Sequence, residues 1–288
     1  MQRKLHPIKR TTMQIITNDE ALLRFMPNTF ATVKGEATFF EKLVPFLESA
    51  EQWLIENFVG TPELLTEISA DTSMHYNFSN IIVCHALMNA VPSLDLVLTP
   101  NGFGVVSNQN VAPASKERVQ RLIASLESNR DINIEMLLKY LPTFECWRSS
   151  KPYEYFSSTM FPNFEILYML GINAHMWQKY QELQPQIVSI ELSLAEEYFS
   201  PEQMAVWRCS MASNMYLILH ERSVVNAVRS QIADVLRDKP INHRLMTDCV
   251  NTIRRYPDSF PEWHRSATAE LYTPKVFKNK KKSGGYWW

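Results

Sequence analysis

Phe40–Phe58 reads FEKLVPFLESAEQWLIENF, and Tyr180–Tyr198 reads YQELQPQIVSIELSLAEEY. Laid over each other without a gap, Leu43 meets Leu183, Pro45 meets Pro185 and Ser49 meets Ser189. Glu51 meets Glu191, Leu54 meets Leu194 and Glu56 meets Glu196. Leu47 meets Ile187 and Phe58 meets Tyr198, both conservative changes. Each copy is followed by Pro-Glu (Pro62-Glu63, Pro201-Glu202) and preceded by a Pro-Asn-Phe signal (Pro27-Asn28-Thr29-Phe30, Pro162-Asn163-Phe164). In the first copy Phe39, Leu43, Phe46, Leu47, Ala50, Trp53, Leu54 and Phe58 recur at three- and four-residue steps, the pattern of an amphipathic helix. Such a helix, from about Glu36 to Phe58, is roughly 35 Å long. Pro45 and Pro185 fall at matching places and predict a bend in each copy. The fold class expected is mainly α: two related helical domains from an internal duplication, with a β-hairpin and an extended C-terminal arm.

Working outward, Thr17-Asn18-Asp19 is a helix-capping cluster ahead of Glu20–Phe25. Gly60 ends the first long helix, and Thr61-Pro62-Glu63 starts the next. Ser79–Val91 predicts another helix. Leu94–Val106 is the clearest non-helical stretch, with alternating Leu94, Leu96 and Leu98 and a Pro100-Asn101-Gly102 turn, so a hairpin is expected there. Ser115 caps a helix to Leu126, and a shorter helix is expected over Ile132–Leu141. Lys151–Ser158, between Pro142 and the second copy, is the expected joint. The domains are therefore 1–150, with the hairpin near 94–106, then 151–272, then an arm at 273–288. In the second domain, helices are expected over Asn173–Phe199, Met204–Val228 (as one or two) and His243–Tyr256, the last broken by Pro257 and Pro261.

The formal net charge of −1 is unevenly spread. Residues 1–10 carry Arg3, Lys4, Lys9 and Arg10 and no acid; residues 275–288 carry Lys275, Lys278, Lys280, Lys281 and Lys282 and no acid. Of 29 Lys and Arg, these nine leave 20 in the rest of the chain against all 30 Asp and Glu. An acidic body of this kind is not expected to hold nucleic acid non-specifically, since phosphate contacts need clustered positive charge. The ends could reach a partner or DNA, or serve as solvated tails. Seven glycines argue against an all-β or dinucleotide-loop protein. No apolar run approaches a membrane span, and the basic N-terminus is not followed by the apolar core of a secretory signal.

No motif spells out a reaction. H-E-x-x-H, G-x-S-x-G and G-x-G-x-x-G are absent. Cys84, Cys146, Cys209 and Cys249 form no C-x-x-C pair and no zinc spacing, which points to buried free thiols in a reducing compartment. The Gly102-Phe103-Gly104 segment lacks the spacing of a phosphate loop. Glu48, Glu51 and Glu56, with Glu191, Glu196 and Glu197, could suggest a carboxylate metal site, but such sites pair Glu-x-x-His on facing helices, and neither copy has one. They read as solvated helix faces. Ser49 and Ser189 recur without a visible base and read as close-packing positions. His85 reads as a hydrogen-bonded core residue rather than a ligand. Trp53, Phe58, Trp177, Tyr180 and Tyr198 read as core before they read as a cofactor box. No catalytic residue, cofactor or metal is expected.

The C-terminal stretch is different. Lys278, Lys280, Lys281 and Lys282 precede Tyr286, Trp287 and Trp288. Ordering a free end is entropically costly, and large aromatics are common interface anchors. These seven residues are the candidate partner-docking arm, engaging a neighbouring subunit or another protein; folding back on the chain's own domain is the alternative.

Leu98–Leu126, LTPNGFGVVSNQNVAPASKERVQRLIASL, resembles an uncharacterised protein family found in phages and prophages of anaerobic gut bacteria, as do SLAEEYFSPE (193–202) and FKNKKKSGGYWW (277–288). The succession of short helix, long helix with Ala50 and Trp53, cross helix and hairpin also resembles the helical head–tail connector proteins of tailed phages. Those connectors are usually one shorter unit, whereas this chain carries two. The resemblance implies a structural virion protein rather than an enzyme, assembled in the host cytoplasm. It implies a homo-oligomeric ring, commonly a dodecamer, between the portal protein and a tail or tail-completion protein. DNA would pass through its lumen without specific binding, and no membrane is involved. A tail-completion or other phage structural role, or an accessory protein of DNA packaging, are the alternatives.

Overall fold

A computed structural model describes residues 15–26, 38–94, 96–99, 102–105 and 115–272 of the chain, and these are mainly α-helical. The arm residues Lys278, Lys280, Lys281, Lys282, Tyr286, Trp287 and Trp288 lie outside the described residues, as does Pro27–Phe30. The chain forms two compact units, Met1–Gln181 and Glu182–Trp288.

In unit 1, α1 (Asp19–Leu23) starts at Asn18, whose Oδ1 accepts from Ala21 N at 2.8 Å. α2 (Phe39–Leu54) opens with a reciprocal cap: Glu41 N donates to Thr38 Oγ1, and Thr38 N donates to a Glu41 carboxylate oxygen at 2.8 Å. This satisfies two amides that a helix start otherwise leaves unpaired. The helix continues through Pro45, which lies on its exposed face, where water can serve the carbonyl that the proline leaves without a donor. Leu43, Ala50 and Leu54 are fully buried on the opposite face. A π-helical turn, Ile55–Val59, ends the rod, and Gly60 leaves it at φ 98°.

α3 (Pro62–Ser69) follows, capped by Thr61, and then α4 (Thr72–Leu94). α4 packs against both α2 and the later α5 (Lys116–Tyr140). Its residues Phe78, Ile81, Ile82, Val83, Ala86 and Ala90 are buried around more than one face, as befits a central helix. Strands β1 (Leu96–Thr99) and β2 (Gly102–Val105) pair antiparallel, Leu96 opposite Val105 and Thr99 opposite Gly102. α6 (Lys151–Phe156) and α7 (Glu165–Leu170) complete the unit with the start of α8 (Met176–Leu194).

Two expectations are corrected here. α5 is one helix, not two. Within the polar run at 127–131, Arg130 and Asp131 are buried and neutralise each other inside the unit, while Ser128 and Asn129 are exposed, so the helix passes through unbroken. Lys151–Ser158 is not a joint. Phe156 is fully buried and its ring lies 5.8 Å from Phe58 and 5.7 Å from Tyr180, so this segment belongs to unit 1's aromatic core, which also takes in Phe161, Phe164 and Trp177.

In unit 2, the remainder of α8 carries buried Ile187, Glu191 and Leu194. A π-helical turn, Ala195–Phe199, ends it, and Ser200 leaves at φ 63°. α9 (Pro201–Ala212), α10 (Leu219–Val235) and α11 (His243–Arg255) follow, with α10 packed on α11. Two short helices, α12 (Pro261–His264) and α13 (Ala267–Tyr272), close the described chain. The core here is Trp207, Val225, Val228, Ile232, Met246, Ile253, Phe260 and Trp263.

Candidate functional site

Three polar arrangements are built into these cores. The first joins α5 to the start of α8. Arg130 is 6% exposed, and its Nε and Nη2 donate to Asp131 Oδ1 at 2.9 and 2.7 Å. The other carboxylate oxygen, Oδ2, accepts from the Met176 and Trp177 amides at 2.8 and 3.3 Å. A carboxylate at a helix start both pairs orphan amides and meets the positive end of the helix dipole. His175, just before α8, places Nδ1 2.6 Å from Glu127 on α5. Further along α5, Glu135 accepts from the Phe164 amide at 2.7 Å and pairs with Lys139 at 2.8 Å.

Above this network the Arg130 guanidinium sits 5.5 Å from the centroid of Trp53, and Trp53 stacks on His85 at 3.9 Å and 11°. His85 is thus held by stacking. Its buried Nδ1 has no hydrogen-bond partner among the described residues, which corrects the hydrogen-bonded core histidine expected from sequence. Burial and the Arg130 charge push its pKa down to about 4, so the ring is neutral at ordinary pH. Burial pushes the neighbouring Cys84 thiol up to about 12, against the pull of Arg130. Both oxygens of Asp131 are engaged and His85 is uncharged, so the cluster's evident work is to fix the start of α8.

The second arrangement concerns the glutamates. Glu48, Glu56, Glu196 and Glu197 are exposed helix-face residues, but Glu51 and Glu191 are buried, at 8% and 0% exposure, which corrects the solvated-face reading for that matching pair. Glu191 pairs with Arg208 Nε at 2.6 Å. Glu51 instead receives the Ile15 amide and lines a cavity of about 10 Å³ with Ile16, Val44, Leu47, Glu48 and Ile82. That is room for about one water. Burial, opposed by the Ile15 amide and aided by Glu48, pushes the Glu51 carboxyl up to about 7.

The third arrangement closes each π turn. The Trp147 indole N–H donates to the Phe58 carbonyl at 2.8 Å, and the Trp263 indole N–H donates to the Tyr198 carbonyl at 2.8 Å. Both carbonyls belong to the last turn of a helix, where no amide within the helix remains to serve them. Each tryptophan ends a Phe-x-x-Trp run, Phe144–Trp147 and Phe260–Trp263, and each is followed three residues later by serine. Ser150 caps α6 by accepting from Tyr153 N at 3.3 Å; Ser266 caps α13 by accepting from Ala269 N at 3.2 Å. Sequence reading overlooked these Phe-x-x-Trp-x-x-Ser runs because their spacing from the long helices differs in the two halves.

Of the remaining sequence candidates, Ser49 and Ser189 are exposed. Phe58, Trp177, Tyr180 and Tyr198 are buried, and Trp53 is half-buried. Cys84 and Cys249 are buried free thiols as expected, but Cys146 and Cys209 are exposed. Among the described residues, no three His, Cys, Asp or Glu side chains converge as a metal cluster, and no helix is long and apolar enough to cross a membrane.

Residues 34–157 match a family described as a family of unknown function (DUF6712). The matched range runs from just before α2 to just after α6, so it spans the first rod, its π turn and the Trp147 closure. No curated protein and no solved structure matches the chain.

Proposed function

We propose that the chain is a non-enzymatic structural component of a phage particle: a head–tail connector or head-completion adaptor that assembles as a ring between portal and tail. The observation that carries this reading is the repetition of one scaffold. A proline-bearing rod ends in a π turn, three helices follow, a Phe-x-x-Trp run returns to clasp the turn, and a serine-capped short helix comes next. We infer that the two units arose by duplication. Burial along the rods agrees position for position at Leu47/Ile187, Glu51/Glu191, Leu54/Leu194 and Phe58/Tyr198. On this reading the β1–β2 pair is a hairpin inserted between α4 and α5 of the first unit, and residues 273–288 are an arm that engages a neighbour.

The polar groups placed inside the two units hold helix ends together, which suits a scaffold. The resemblance to phage proteins and the acidic composition of the intervening chain, fitting for a conduit that should not retain DNA, support the same reading. Negative-stain imaging and sedimentation of the purified full chain test it. Rings, and co-sedimentation of the chain with virions, are the expected results. A monomer that binds a nucleotide or a metal ion would turn the reading toward the packaging machinery.

A further inference from the structure

Unit 2 carries a surface that its fold does not require. In unit 1 the link from α3 to α4 is Ala70–Asp71; the corresponding link from α9 to α10 is the six-residue segment Ser213–Ile218. That segment and the first residue of α10 expose Met215 at 61%, Tyr216 at 82%, Ile218 at 44% and Leu219 at 74%. Four large apolar side chains so close together are more than the scattered exposure usual on a monomer.

The segment is also held in place. Met215 N donates to Ser210 O at 2.9 Å, and Leu217 is tucked in at 8% exposure. Arg222 Nη2 donates to the Leu217 carbonyl at 3.1 Å, and its guanidinium lies 4.9 Å from the Tyr216 ring centroid. His220 stacks on Tyr256 at 3.6 Å, which brings the last turn of α11, with exposed Arg254 and Arg255, beside the start of α10. The result is an apolar centre with a basic rim, tempered by half-buried Glu221 and exposed Asp258. Tyrosine, methionine and arginine are the residue types enriched in interfaces.

We propose that this α9–α10 corner docks on a second copy of the chain, with its basic rim against the acidic outer stripe of that copy's α2. The stripe is Glu41, Pro45, Glu48, Gln52 and Glu56, exposed throughout and spaced three and four residues apart along one helix face. Charge complementarity selects it: the rim offers Arg222, Arg254 and Arg255, and the stripe offers three carboxylates. The matching stripe along α8 and its π turn (Gln181, Pro185, Val188, Leu192, Glu196) has one. A contact between unlike surfaces propagates from copy to copy and closes a ring when the rotation allows. The inference therefore rests on the ring reading and names one of its contacts.

Sedimentation velocity of the full chain, with circular dichroism to verify folding, tests it. Tyr216→Ser with Leu219→Ser should weaken self-association by about tenfold or more, as for the centre of an interface. Arg254→Glu with Arg255→Glu should weaken it as well, and so should Glu48→Lys with Glu56→Lys. Combining the two charge reversals should restore assembly toward wild type. If the wild type assembles and the Tyr216/Leu219 variant assembles equally well, the docking surface is overturned while the ring reading stands. If deleting 273–288 dissolves the assembly and the four-charge combination restores nothing, the arm is the contact and the corner is overturned. A wild type that stays monomeric overturns both.

Discussion

The indole N–H of Trp147 donates to the main-chain carbonyl of Phe58 at 2.8 Å, across 89 residues of sequence. That one bond ties the end of the first rod to the segment that leads into α6. Trp263 makes the same bond to Tyr198.

Trp147→Phe keeps most of the buried aromatic surface and removes the donor. The Phe58 carbonyl then stays buried with this partner lost, at about 1–3 kcal/mol. Trp263→Phe should cost a similar amount in unit 2. Chemical denaturation of each variant measures this, and an unchanged midpoint in both would refute the closure role.

Gly60 and Ser200 should respond in opposite directions. At Gly60, φ is 98° and an added Cβ would lie 2.6 Å from the Ser150 Cβ. Gly60→Ala should therefore destabilise by about 1–3 kcal/mol or more. Ser200 holds φ 63°, ψ 149°, a region that only glycine adopts comfortably. Ser200→Gly relieves strain of about 1–3 kcal/mol and gives up only a few tenths as a helix cap. A net gain in thermal midpoint is expected for Ser200→Gly, and a loss there would show that the serine cap outweighs the strain.

Glu51→Gln should change how stability depends on pH. The carboxyl sits at about 7 in the folded unit against an ordinary 4.5, so folding is favoured by its protonated form. Its contribution is intact below 4.5 and is lost as pH rises toward 7. The variant should therefore match wild type near pH 4.5 and exceed it at pH 8 by up to about 3 kcal/mol. His85 slopes the other way, since its lowered pKa makes stability fall as pH drops from 6.5 toward 4. It cancels in the difference between wild type and variant, provided both are measured over the same pH range. A difference that does not grow with pH would mean that Glu51 is ionised as easily in the folded unit as in solution.

Asp131→Ala leaves Arg130 buried beside a missing partner and uncaps the start of α8. Breaking one side of a buried pair costs about 3–5 kcal/mol. Hydrogen exchange should show faster loss of the Met176 and Trp177 amides in this variant than in Asp131→Asn, which keeps one acceptor oxygen. Equal exchange in the two would mean that these amides do not depend on the carboxylate.

Thiol labelling offers a direct check on the cores. Cys146 and Cys209 are exposed and should react at once in native protein. Cys84 and Cys249 are buried, with thiols pushed up to about 12 and about 11, and should react only on unfolding.

The rods were legible because one period runs through them: Leu43, Leu47, Ala50 and Leu54 in the first, and Ile187 and Leu194 in the second, all face inward. Short capping signals were legible too, as at Asn18, Thr61 and Ser115. What could not be read was polarity that tertiary structure conceals. The Glu-Ser-Asn-Arg-Asp run at 127–131 has the composition of a loop, yet Arg130 and Asp131 satisfy each other and the start of a helix 45 residues away. Glu51 and Glu191 follow the same logic, since only a partner in space marks them as buried. The Thr38–Glu41 capping box fixes the helix start at Phe39, three residues later than the expected Glu36. The tryptophan that closes each π turn returns from far along the chain, so no local signature announced the closure.

The two units leave their π turns differently. In the first, two neighbours share the work, with Gly60 making the left-handed step and Thr61 capping α3 through its hydroxyl. In the second, Ser200 does both. Replacing Gly60 disturbs the backbone step and spares the Thr61 cap, whereas at Ser200 any residue but glycine keeps the backbone strain, and most of them lose the capping hydroxyl as well. Mutational tolerance should therefore be distributed unequally between the two halves, with the narrower choice of residues at the later turn.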